Sequence, residues 1–159
     1  MKPKLQFRVV NDDADIPALI SLAGDAHHES RFRDIPFSPD KVADIAGRAI
    51  ADPKRHGVFL AAKGDAPVGM LYCSVGEYHI GTDVLLTTIH NMNVSRDVRE
   101  SLSGGRVALG LMSGVKSWSK ARGAVEILFH VTSGVDLARS HKFAKRMGFE
   151  FVGGSYVLF

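Results

Sequence analysis

A β-branched run, then a polar loop, then a glycine-opened helix constrains this chain more than any other feature. The apolar run at residues 84–89 continues through His90, Asn91, Met92, Asn93 and Val94, and such a stretch predicts a strand. After the loop, Ser103, Gly104, Gly105, Arg106, Val107 and Ala108 open a helical stretch that runs to Gly123. Strand, loop and helix in that order present backbone N–H groups and the positive end of a helix dipole to an anion. The residues alone read as a phosphate-binding turn. A Gly-Gly pair before a helix is a weak motif taken singly, so the rest of the chain has to supply the context.

The flanking segments do so. Residues 5–10 read as a first strand, and Asn11, Asp12 and Asp13 supply turn and cap chemistry. Ile16, Leu19, Ile20 and Leu22 follow helical spacing, with Pro17 tolerated in the first turn. Ser38, Pro39 and Asp40 are a helix start, and Pro53 stops that second helix. The period then changes to two. Residues 57–62 and 67–75 predict a hairpin around the turn at 63–66, leading into the strand described above. Residues 124–131 predict a further strand, 136–147 a basic amphipathic helix closed by Gly148, and 149–159 a terminal strand pair broken at Gly153 and Gly154. With 159 residues, 45% hydrophobic and 23% charged, this is one α+β domain over residues 1–159 with a mostly antiparallel sheet and about four helices.

Composition excludes several classes. The net charge of +3 suits an anionic cofactor, but no run of Lys and Arg interleaved with aromatics marks a nucleic-acid surface. Cys73 is the single cysteine, set in an apolar run, which predicts a buried thiol in a reducing compartment. No segment has the length of a membrane span, and residues 1–7 lack the apolar centre of a signal peptide. Cytoplasm, with no membrane or nucleic-acid partner, is the expectation.

The order of elements resembles the GCN5-related N-acetyltransferase (GNAT) superfamily across essentially the whole chain. The residues that carry the resemblance are 104–109, the stretch from Trp118 to Ala124 leading into the next strand, and residues 143–149, a helix ending in Gly148 and Phe149. The resemblance implies an acetyl-coenzyme A-dependent N-acetyltransferase that passes acetyl directly from the thioester to an amine. It implies that the glycine loop binds the pyrophosphate of acetyl-coenzyme A by backbone amides, and that the pantetheine arm pairs with the splayed strand at Met92, Asn93 and Val94. The cofactor set is then Met92, Asn93, Val94, Ser103, Gly104, Gly105, Arg106, Val107 and Ala108, with no metal. Two placements of the family loop compete. Anchoring on the helix puts Ser103 at the basic position, whereas anchoring on Val94 puts Arg99 there. A loop a few residues longer than usual satisfies both. The position where many members carry a proton-donating tyrosine is Ala144, so a non-catalytic coenzyme A-binding or regulatory module of the same fold is the alternative.

Amine acylation needs the amine neutral, hence a base or a water relay. Glu29, at the end of the first helix, is one candidate as a base or amine-binding carboxylate. Its plain alternative is a surface acid beside Arg31 and Arg33. His90 is the other, with a structural histidine as its alternative. His27 and His28 are adjacent on a helix and do not converge on one ion. The terminal residues 149–159, rich in Phe, Val and Leu, also suggest pairing of two copies through a sheet edge.

Overall fold

The computed structural model describes residues 3–159. Five strands form one sheet in chain order: β1 (Leu5–Val9), β2 (His56–Lys63), β3 (Ala66–Glu77), β4 (Leu85–Val94) and β5 (Glu126–Phe129). β1 to β4 pair antiparallel, and β5 joins β4 in parallel. Helices α1 (Ile16–Glu29) and α2 (Pro39–Ala51) lie between β1 and β2 in sequence. A single turn α3 (Arg96–Arg99) precedes the long α4 (Leu102–Ala121), and α5 (Leu137–Arg146) follows β5. The α+β class and the mixed, mostly antiparallel sheet agree with the sequence expectation.

Local chemistry explains the boundaries. Ser38 Oγ accepts the Lys41 N–H at 3.4 Å, and Pro39 occupies the first position of α2. The fork of Arg8 grips Asp15, with Nη2 to Oδ1 at 2.6 Å and Nε to Oδ2 at 3.0 Å. That pair fastens β1 to the entry of α1 and holds the Asp15 carboxyl below its usual range. α4 ends on Gly123 and α5 on Gly148, both with positive φ.

The sheet separates two apolar layers. On one face α4 lays down Val107, Leu111, Val115 and Trp118 against Leu71, Cys73 and Ile89. On the other, Leu19 and Leu22 of α1 and Ala46 and Ala49 of α2 meet Val58, Leu60 and Met70. β2 is covered on both faces, which is why residues 58–62 read as an unbroken apolar run rather than an alternation. Cys73 is fully buried and its thiol is pushed up to about 12 by desolvation. It is a packing residue. No helix among the described residues is long and apolar enough to cross a membrane.

One expectation is overturned. Residues 149–159 form no strand. Phe151, Val152, Tyr156, Leu158 and Phe159 stand exposed. A strand exists only with a ladder partner, the last edge β5 is four residues long, and the two consecutive glycines weaken the segment further.

Candidate functional site

The site starts from an irregularity. Tyr72 of β3 pairs with Asn91 and Cys73 pairs with Ile89, so His90 is the extra residue of a β-bulge in β4. A bulge bends its strand and re-aims a side chain. β5 accompanies β4 only as far as the Ile89–Phe129 pair, after which the His130 N–H reaches the Ile89 carbonyl at 3.3 Å. Beyond that point the strands part. Ser95 N–H donates to the Val68 carbonyl at 2.8 Å. By alternation, Met92 and Val94 therefore turn their backbone groups away from β3 and into the gap. Arg99 Nε donates to the Val94 carbonyl at 3.0 Å from that side.

The gap opens into a cavity of about 430 Å³, walled by Met92, Asn93 and Val94 of β4, by Gly104, Gly105 and Ala108 of α4, and by one face of α5. This size suits a small-molecule site. The helical phase of α4 decides which expected residues line it. Gly104, Gly105 and Ala108 face the cavity, whereas Val107 is fully buried in the core, and Ser103 and Arg106 lie outside the wall. The backbone cradle expected over Gly104 to Ala108 also shifts towards the N-terminus. α4 begins at Leu102, so its first-turn N–H groups belong to Leu102, Ser103 and Gly104. Ser101 Oγ already accepts two of them, at 3.2 Å from Ser103 and 3.4 Å from Gly104.

The two glycines differ in kind. A Cβ on Gly104 would fall 2.3 Å from the Val98 carbonyl oxygen, so glycine there permits the close crossing of α3 and α4. A Cβ on Gly105 would meet nothing within 4 Å. It would stand in the cavity. The inserted turn α3 lengthens the loop between β4 and α4 and carries Arg99 back to the end of β4.

Arg99 joins three elements. Its Nη2 lies 2.7 Å from Glu29 Oε2 of α1, with both side chains about a quarter exposed (24% and 23%). Its Nε holds Val94, and its carbonyl accepts from Arg139 Nη2 of α5. Glu29 thus reaches the cavity, but its carboxylate is committed to a guanidinium. His90 is set differently. Its Nε2 lies 2.7 Å from Ser74 Oγ, and its ring stacks on Tyr72 with centroids 4.9 Å apart. Tyr72 in turn places its hydroxyl 3.3 Å from His56 Nδ1. Burial, then the neighbouring His130 and His56, pushes the His90 imidazole below the ordinary histidine range. It is neutral near neutral pH and can accept a proton.

Arg99, Arg139, Lys142 and Arg146 all line the cavity. Sequence reasoning reaches Arg99 through the loop placement, and Lys142, with Ser140 and Lys145, as an approach to the cofactor's nucleotide end or a solvated basic face. It misses Arg139 and Arg146. The spacing of Arg139, Lys142 and Arg146 was visible on a helix, yet a basic helical face usually faces water, and only the position of α5 beside the gap shows otherwise. Ser140 and Phe143 line the cavity too, while Ala144 and Lys145 do not. His27 Nε2 is bound to the Ile35 carbonyl at 2.6 Å. Among the described residues no group of three or more His, Cys, Asp or Glu side chains could hold a metal ion.

No protein-family model and no curated protein matches the sequence. Solved structures do. AAC(6')-Iy in complex with the bisubstrate analogue CoA-S-monomethyl-acetylneamine is 19% identical, with a TM-score of 0.72 over 98% of this chain and 96% of that one. A predicted acetyltransferase of Clostridium acetobutylicum with acetyl-CoA is 14% identical, with a TM-score of 0.76 over 98% of this chain and 96% of that one. A transcriptional regulator of Bacillus halodurans is 15% identical, with a TM-score of 0.69 over 98% and 99% of the two chains. The chain therefore shares the fold of these structures, the GNAT fold, over 98% of its length. At these identities the likeness defines the fold, and a fold hosts more than one function.

Proposed function

We propose that the chain is an acetyl-coenzyme A-dependent N-acetyltransferase. The observation that carries this reading is the parted edge of β4 beside the first turn of α4 in one cavity. An unpaired strand edge accepts the amides of an extended arm, and a helix N-terminus accepts an anion at the end of that arm. The residues present fit such a co-substrate. Met92, Asn93 and Val94 line its arm, Gly104, Gly105 and Ala108 line the cavity at the start of α4, and Gly105 leaves room. Its thioester supplies an activated acetyl group.

The chain's own residues do the rest. Neutral His90, next to the wall residue Asn91 but outside the wall itself, takes the proton from the attacking amine through water. The Met92 N–H, turned away from β3, stabilises the carbonyl oxygen as charge develops. The N–C bond forms as the C–S bond breaks, and the departing thiolate takes a proton from solvent, since Ala144 has none to give. Glu29 holds Arg99 at the cavity mouth. The acceptor is an amine. The bisubstrate complex of AAC(6')-Iy places amino sugars of the neamine type first in a panel, ahead of peptide amines.

Titration calorimetry with acetyl-coenzyme A, and with coenzyme A and ATP as controls, tests the reading. Micromolar binding that requires the pantetheine arm, followed by amine-dependent thiol release, is the expected result. Binding without thiol release across the panel selects the second reading, a non-catalytic coenzyme A-binding module, which the missing hydroxyl at Ala144 favours. The exposed apolar residues 149–159 support a further element of the reading: two copies pair, each terminal segment laid along the open β5 edge of the other.

A further inference from the structure

The surroundings of His90 decide which of its two ring nitrogens is free. The ring is held on two sides. One face lies on Tyr72, with centroids 4.9 Å apart and planes 28° from parallel. Nε2 lies 2.7 Å from Ser74 Oγ. Ser74 stands in β3 between His56 of β2 and Thr88 of β4. Among the described residues its hydroxyl makes no other hydrogen bond, so the imidazole alone dictates which way it turns. The titratable groups that act on the His90 ring are His130 and His56, and those that act on Tyr72 beneath it are Arg48 and the thiol of Cys73. None of them brings a negative charge near neutral pH. Ser74 Oγ is therefore the acceptor that an imidazolium at His90 has within reach.

A neutral imidazole carries one N–H and one lone pair, and the hydrogen bond made by one nitrogen sets the state of the other. A serine that donates to Nε2 spends the lone pair of the ring on its own hydroxyl and leaves Nδ1 as an N–H. A serine that accepts from Nε2–H leaves the Nδ1 lone pair free. The second bond also persists when Nδ1 gains a proton, so nothing has to turn as the charge forms. Resting on the acyltransferase reading above, we infer that Ser74 is a positioning residue: it accepts the His90 Nε2–H and makes Nδ1 the nitrogen that receives the amine proton. That proton passes from the amine to water and from water to Nδ1. The amine lone pair forms the N–C bond, and the electrons of the C–S bond leave with the thiolate. Ser74 itself gives up no proton.

Long-range proton–nitrogen correlation spectra of the 15N-labelled full chain test the tautomer, at about pH 8, above the histidine range. His90→Gln identifies the His90 signals. The wild type should show a pyrrole-type Nε2 and a pyridine-type Nδ1, and Ser74→Ala a mixture of tautomers with an unchanged melting temperature. In turnover, Ser74→Ala should lower kcat about tenfold, the worth of a hydrogen bond to a charged group. The KM for acetyl-coenzyme A should hold, because Ser74 lies outside the cavity wall. Ser74→Thr should restore the rate. Ser74→Asp should move the acid limb of the kcat/KM profile upward, since a carboxylate favours the imidazolium. A residue that only packs would leave that limb in place. A pyrrole-type Nδ1 in the wild type, a spectrum that Ser74→Ala leaves unchanged, or a limb indifferent to Ser74→Asp overturns the role of Ser74 while the acyltransferase reading stands. A wild-type chain that releases no thiol with any amine overturns that reading, and with it the use of Nδ1 as a base, whatever tautomer the spectrum shows.

Discussion

His90 owes its proposed role to two neighbours and a bulge. It is the extra residue of β4, its ring stacks on Tyr72, and Ser74 Oγ at 2.7 Å holds one nitrogen. Because burial depresses its pKa, the acid limb of a kcat/KM profile should fall below the ordinary histidine value of about 6.5. His90→Gln should remove that limb and cost about 10²–10⁴ in kcat/KM, the usual worth of a positioned base, with coenzyme A affinity unchanged. A limb that survives the substitution transfers the role to Glu29 or to water. The same depression has a stability consequence. The folded protein binds the His90 proton less well than the unfolded chain, so this contribution is present above pH ~6.5 and is lost as pH falls through the folded value. Cys73, with its thiol near 12 and fully buried, should react with a thiol reagent only on unfolding.

The start of α4 separates structure from binding in two adjacent residues. Gly104→Ala drives a methyl group into the Val98 carbonyl and should destabilise by about 1–3 kcal/mol, as overpacked sites do, read as a lower urea midpoint. Gly105→Val places its Cβ where no atom lies within 4 Å. It should fold as wild type and bind coenzyme A weakly, because its side chain stands in the cavity. Gly105→Ala sharpens the contrast: it should gain up to about 1 kcal/mol of helix stability while losing affinity. Unchanged affinity in both Gly105 variants would move the arm away from α4. At the far end of the same helix, the Arg122 guanidinium lies 3.8 Å over the Trp118 ring, and its Nε donates to the Lys54 carbonyl at 3.1 Å. That clip fixes the axis of α4 against the sheet, and so fixes where its first turn points.

The whole chain is a sheet with two apolar layers and one unfinished end. Phe151, Val152, Tyr156, Leu158 and Phe159 are solvent-exposed on a segment without a ladder, next to a four-residue edge strand. Exposed apolar side chains in such number mark an association surface. Sedimentation at micromolar concentration should show a dimer, and removal of residues 150–159 should give a monomer with an unchanged circular dichroism spectrum. A monomeric wild-type chain would leave the terminal segment without this role.

Periodicity made most of the fold legible. The β-branched run of β4, the helix start at Ser38 and Pro39 and the glycine at the end of α5 all express local sterics and hydrogen bonding that neighbours in sequence dictate. The gap beside β4 was expected from the family resemblance and not from the residues themselves. The bulge at His90, the pairing of Glu29 with Arg99 and the meeting of Arg139 and Arg146 with the α4 terminus were not legible. Each joins residues far apart in the chain, and strand register, helix phase and the point where β5 leaves β4 bring them together. Residues 149–159 show the same limit from the other side. Their pattern suits a strand, but a strand is a property of two segments, and this fold offers them no second one within a single chain.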